Sequence, residues 1–90
     1  MRYNIRIAVE RKKGVADPEG KTIFEALGRL GYEKVESVRV AKLFDVVINA
    51  KNENEAKSVA EEISERVLSN PVIETFTILS ISETGDGGNE

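Results

Sequence analysis

The chain has 90 residues, of which 40% are apolar, carries a formal net charge of −3 and contains neither histidine nor cysteine. A chain of this length supports one modest core, so we expect a single domain over residues 1–83. The missing residue types remove disulfides, thiolate nucleophiles and the commonest general base and zinc ligand. We therefore predict no catalytic, cofactor-binding or metal site. No long apolar block is present, which predicts neither a signal peptide nor a membrane span and favours the cytoplasm.

The charge is unevenly distributed along the chain. Residues 1–42 carry a net charge of +4, whereas residues 43–90 carry −7. Complementary fields of this kind tune the rate and orientation with which a protein meets a partner or its own copy. A solvated charged surface is the simpler alternative.

The first third of the chain predicts a strand followed by a helix. Apolar residues alternate with polar ones from Tyr3 to Val9, which is typical of a half-buried strand. Asp17 can cap a helix whose first position is Pro18, because proline lacks an N–H that would be unpaired there in any case. Gly31 is placed to end that helix. Its apolar positions at helical spacing are Ile23, Ala26, Leu27 and Leu30.

The middle of the chain predicts two further strands. Valines over residues 35–40 suggest a second strand, and the alternation over residues 44–50 suggests a third. The turn between them, at residues 41–43, contains no residue that favours a tight hairpin.

The last part of the chain predicts a second helix and a fourth strand. Asn52 or Asn54 can cap the helix, which should stop before Asn70 because the residue preceding a proline is disfavoured in a helix. The strand should run from Ile73 to Ile81. Residues 84–90 are rich in glycine, and we expect them to form a flexible tail.

This order of elements predicts an α+β fold, the ferredoxin-like split βαβ sandwich (βαββαβ), with a four-stranded antiparallel sheet and two helices on one face. Two of its strands have apolar residues on both faces of the sheet. We therefore expect a partner to cover the second face, which is the face without helices. On that second face we place Val47, Leu79 and Ile81, opposite Ile48, Phe76 and Ile78.

Two other functions fit this topology. The basic run at residues 11–13 could contact RNA, but the aromatic residues Tyr3, Phe44 and Phe76 fall in register with the core and not on a stacking face. The isoelectric point of about 5.1 also disfavours nucleic acid. A regulatory module of the ACT type would bind a small molecule at the loop of residues 14–20.

Three segments resemble the PurS family, the small subunit of phosphoribosylformylglycinamidine synthase. They are DPEGKTI at residues 17–23, VRVAK at residues 38–42 and LSNPVIE at residues 68–74. The resemblance runs from about Ile5 to Ile81. The family usually has glycine where this chain has Ala41.

The resemblance implies a non-catalytic subunit in de novo purine biosynthesis. It would form a homodimer or tetramer and bridge a PurQ-type glutaminase and a PurL-type ATP-dependent synthetase for ammonia transfer. The resemblance implies that the chain binds no cofactor, whereas the complex uses ATP and Mg. Because loops on a rigid scaffold commonly carry binding, the residues we expect at partner contacts are Lys13, Asp17, Pro18, Gly20, Thr22, Lys42, Asn70 and Pro71; the alternative is that they only shape the fold.

Overall fold

The computed structural model describes residues 1–84 and contains three strands and two α-helices. A single π-helical turn, Ser64–Leu68, extends the second helix. Most of the predicted tail, residues 85–90, lies outside the described residues. The elements in chain order are β1 (Arg2–Arg11), α1 (Pro18–Arg29), β2 (Ala41–Asn49), α2 (Glu53–Ile63) and β3 (Glu74–Glu83).

The strands form one antiparallel sheet in the order β2-β1-β3. The central strand β1 places Ile5 opposite Val46 on one side and Ile81 on the other. Alternate residues of β1 are buried on the face that α2 covers, as the sequence pattern predicted. Ala56 and Ala60 of α2 are fully buried, and their small side chains let the helix approach the sheet closely. The buried β1 residues are Tyr3, Ile5, Ile7 and Val9.

The prediction of a four-stranded sheet was wrong. Among residues 1–84 the sheet has three strands, and residues 35–40 form no strand. The N–H of Val40 donates to the Asp17 carboxylate at 2.9 Å, so this segment satisfies its backbone with a side chain instead of a neighbouring strand. The predicted turn at residues 41–43 is likewise part of β2.

The prediction of a second apolar face on the sheet was also partly wrong. A β-bulge shifts the β1–β3 register between Arg6 and Ile7, so that Leu79 is the extra residue on β3. The shift returns Ile81 to the core face, where it packs with the buried cluster. Val47 and Leu79 remain exposed, but the Arg6–Asp45 ion pair, at 2.9 Å, lies across the same outer face. That face is therefore mixed in character and not apolar.

Helix α1 does not cover the sheet, contrary to the prediction of two helices on one face. It contributes no residue to the core cluster, and it makes few contacts with the strands or with α2. Its predicted ends are confirmed: Asp17 caps its start, and Gly31, with φ of +94°, follows its last turn. The chain extends 51 Å with a radius of gyration of 16.8 Å, whereas a compact chain of this length has about 12 Å.

Candidate partner-binding site

Most of the expected contact residues lie where β1 ends and where β2 and β3 begin. We call this region the sheet end; it comprises residues 10–20, 38–42 and 69–75. The N–H of Lys12 donates to the carbonyl of Ile73 at 2.9 Å, which joins the loop after β1 to the loop before β3. The sheet end is thus a hydrogen-bonded backbone frame that carries exposed side chains.

Asp17 is the central residue of this frame. Its Oδ1 accepts the N–H of Gly20 at 3.0 Å, which caps α1, and its Oδ2 accepts the N–H of Val40. The hydrogen bond from Gly20, followed by that from Val40, holds the pKa of the carboxyl below its ordinary value. The positive charges of Arg39 and Arg11 lower this pKa further. Asp17 therefore stays ionised and acts as an architectural residue.

Gly20 allows the first turn of α1 to pack against the segment that precedes β2. A Cβ at this position would lie 2.5 Å from the carbonyl oxygen of Val38 and 2.8 Å from Oδ2 of Asp17. No side chain fits at that distance without a backbone shift. Gly20 is buried, which gives it a packing role within the chain.

The corner at Asn70-Pro71 is also built by local hydrogen bonds. Oδ1 of Asn70 accepts the N–H of Val72 at 3.1 Å, and the N–H of Asn70 donates to Oε1 of Glu74 at 2.7 Å. These bonds form an Asx-type turn that leads into β3. Pro71 is exposed beside this turn.

The structure brings several of the predicted residues together. Asp17, Pro18 and Lys42 line one open cavity of about 320 Å³. Lys13 lines an adjoining cavity of about 370 Å³, and Pro71 lines a third of about 330 Å³. Thr22 lies exposed on α1 and lines none of these three cavities.

Two surface features lie outside the predicted contact set. Arg11, Lys12 and Arg39 line the cavity that contains Lys13 but were not among the expected partner contacts. The second feature is the exposed apolar side of α1, which was predicted to pack against the sheet of the same chain. It includes Ile23, which is 40% exposed, and Leu30, which is 73% exposed. The helical spacing of these residues predicts an apolar face but does not indicate whether that face is covered by the same chain.

The described residues contain no metal-binding cluster and no membrane-spanning helix, and their strand aromatics form no stacking surface. Within residues 1–84, no three acidic side chains lie close enough together to hold a metal ion. No helix in this range combines the length and apolar character that a membrane crossing requires. Tyr3 is buried in the core cluster, and Phe44 and Phe76 are partly buried and pack against it, so these rings do not form an exposed platform for RNA bases.

Comparison with known proteins identifies the family. The model of the family described as PurS, phosphoribosylformylglycinamidine (FGAM) synthase, matches residues 4–82. The PurS subunit of this synthase from Methanocaldococcus jannaschii is 38% identical over 76 residues, which are 84% of this chain and 92% of that protein.

Solved structures agree with the sequence match. Thermus thermophilus PurS superposes with a TM-score of 0.82 at 36% identity, covering 93% of this chain and 99% of that one. A chain in the structure of PurLQS from Thermotoga maritima superposes with a TM-score of 0.79 at 26% identity, covering 93% and 99%. This chain therefore belongs to the PurS family, the family of the small subunit of phosphoribosylformylglycinamidine synthase.

Proposed function

We propose that this chain is the non-catalytic small subunit of phosphoribosylformylglycinamidine synthase and bridges a glutaminase and an ATP-dependent synthetase in de novo purine biosynthesis. The observation that carries the proposal is the family match over residues 4–82. The Thermotoga maritima relative occurs in a structure described as PurLQS, which supports PurL-type and PurQ-type partners for this chain.

The chemistry of the reaction explains why such a subunit is needed. Glutamine hydrolysis releases ammonia, which diffuses away and is readily protonated in water. Holding the two active sites in one assembly replaces an encounter in bulk solution with transfer along one sheltered path. The complex as a whole would use ATP and Mg in the cytoplasm, whereas this chain supplies binding surfaces.

The proposal includes self-association of the chain through α1. Ile23 and Leu30, which the helix pattern places on the apolar side of α1, are exposed, and the neighbouring Phe24 is exposed as well. The core face of β2 is also incompletely covered, since Phe44 and Ile48 are only half-buried. One chain thus offers both an uncovered sheet face and an unused apolar helix. A second copy can cover these surfaces, and burial is favourable by about 25 cal/mol per Å² of apolar area.

Assembly from purified subunits tests the proposal. The full chain is mixed with the PurL-type and PurQ-type subunits of the same organism, with the nucleotide and glutamine present, and the species are separated by size-exclusion chromatography. We expect all three to elute together, and we expect the two large subunits alone not to form that species. Elution of this chain apart from both partners under all these conditions would rule out the bridging role.

A further inference from the structure

One part of the sheet end is strongly positive, although the whole chain is negative. We call it the basic cleft; it is the cavity of about 370 Å³ lined by Glu10, Arg11, Lys12, Lys13, Arg39 and Thr75. Four cations and one anion give this lining a formal charge of +3, against −3 for the chain. The excess of positive charge is therefore local and not a property of the overall composition.

The cations of the basic cleft form no short ion pair within residues 1–84, although the Asp17 carboxylate acts on Arg39 and Arg11 at longer range. The ion pairs found within residues 1–84 include Arg6–Asp45 and Arg66–Glu62, and none involves Arg11, Lys12, Lys13 or Arg39. The nearby Asp17 carboxylate is already occupied by the two backbone N–H groups of Gly20 and Val40. The carboxylate of Glu74 similarly accepts the N–H of Asn70. The basic side chains consequently retain donors for an external acceptor.

The frame of the basic cleft is held by hydrogen bonds, whereas its two lysine side chains are exposed. Nη2 of Arg39 donates to the carbonyl of Arg11 at 2.7 Å, which fixes one wall against the end of β1. The backbone of Lys12 is fixed by its bond to Ile73. The side chains of Lys12 and Lys13 are exposed. Because lysine carries its ammonium group on a flexible four-carbon chain, two exposed lysines on this frame can reach several carboxylates of a protein surface.

We propose that the basic cleft docks an acidic surface of a partner subunit of the complex and steers its association. This inference rests on the proposed function, because it assigns a surface to the bridging role. A single phosphate fits the site poorly, since Asp17 and Glu19 place negative charge at the start of α1 in the adjoining cavity. RNA fits poorly because the strand aromatics Tyr3, Phe44 and Phe76 are buried in the core cluster or packed against it.

Charge reversal at two exposed lysines tests this inference. The variant is Lys12→Glu/Lys13→Glu in the full chain, and the matched control is Lys51→Glu/Lys57→Glu, which changes the net charge equally at two exposed lysines outside the cleft. Association with the purified PurL-type and PurQ-type subunits is followed by stopped flow at about 0.1 M and about 1 M salt, where the screening length falls from about 10 Å to about 3 Å. Thermal unfolding checks that both variants remain folded.

At low salt we expect the cleft variant to associate about ten-fold or more slowly than wild type with one of the two subunits, and the difference to shrink at high salt. The control should stay within about two-fold of wild type under the same conditions. Equal association rates for the cleft variant and the control would overturn the inference and leave the bridging function intact. Wild-type chain that binds neither subunit would overturn both. Salt-sensitive binding of a single-stranded RNA by the cleft, without any effect on subunit association, would assign the cleft to RNA instead.

Discussion

Asp17 and Val40 are 23 residues apart in the chain, and the carboxylate of the first accepts the backbone N–H of the second at 2.9 Å. The other oxygen of the same carboxylate caps α1 through the N–H of Gly20. One side chain thus fixes both the start of α1 and the entry to β2. This double role explains why the sheet end is ordered although residues 33–40 contain no helix or strand.

Replacing Asp17 with alanine should lower the stability of the protein. The change leaves two backbone N–H groups without their acceptor, and loss of a helix cap alone is destabilising. Urea unfolding followed by circular dichroism measures the effect. Glu19→Ala is the matched control, because it removes an exposed carboxylate two residues away in the first turn of α1. A midpoint for Asp17→Ala equal to that of the control would show that the two hydrogen bonds contribute nothing.

The stabilising effect of Asp17 should disappear in acid. Its pKa in the folded protein lies below the ordinary value of 3.8, chiefly because of the hydrogen bond from Gly20. A depressed pKa contributes stability above the pKa of the unfolded chain, and this stability is lost as the pH falls through the pKa of the folded protein. The difference in stability between wild type and Asp17→Ala should therefore be constant near neutral pH and shrink below 3.8. A difference that does not change across this range would contradict the linkage.

Replacing two glycines of α1 with alanine should change the stability of the protein in opposite directions. Gly20→Ala forces a Cβ to within 2.5 Å of the Val38 carbonyl, and overpacking of this kind costs about 1–3 kcal/mol. Gly28→Ala meets nothing within 4 Å and should stabilise the helix by about 1 kcal/mol. Urea titrations at equal protein concentration compare the free energies of unfolding. Tolerance of both substitutions would mean that α1 does not pack against the Val38 segment.

Self-association should depend on the apolar side of α1. Burying a phenylalanine side chain contributes about 1.5–3 kcal/mol, so Phe24→Glu should raise the dissociation constant of the oligomer by about ten-fold or more. The fold should persist, because α1 contributes no residue to the core cluster. Val67→Glu, at a position that is 75% exposed outside α1, is the control. Sedimentation equilibrium gives the masses; wild type that sediments at 9.9 kDa at micromolar concentration would contradict self-association through α1.

The sequence predicted those elements whose signals are local. The cap at Asp17, the glycine at Gly31 and the alternation from Tyr3 to Val9 each specify a structure within a few neighbouring residues, and the structure confirms all three. The resemblance of three segments to the PurS family is confirmed by the family match over residues 4–82.

The errors concern interactions between residues that are distant in the chain. Val38 and Val40 have the spacing of a strand, but the partner of this segment is the carboxylate of Asp17 and not another strand. The bulge at Leu79 changes the face on which Ile81 lies, and no residue type in β3 indicates the bulge. The run of cations at residues 11–13 is visible in the sequence. Its proximity to Arg39 at the sheet end depends on the folded path of residues 38–42.

The most direct test of the bridging role compares two nitrogen sources. The PurL-type and PurQ-type subunits are assayed with and without this chain, first with glutamine and then with a high concentration of free ammonia. We expect omission of the chain to abolish turnover with glutamine and to leave a residual reaction with ammonia, because free ammonia bypasses transfer between subunits. Glutamine-dependent turnover that is equally fast without the chain would contradict the account.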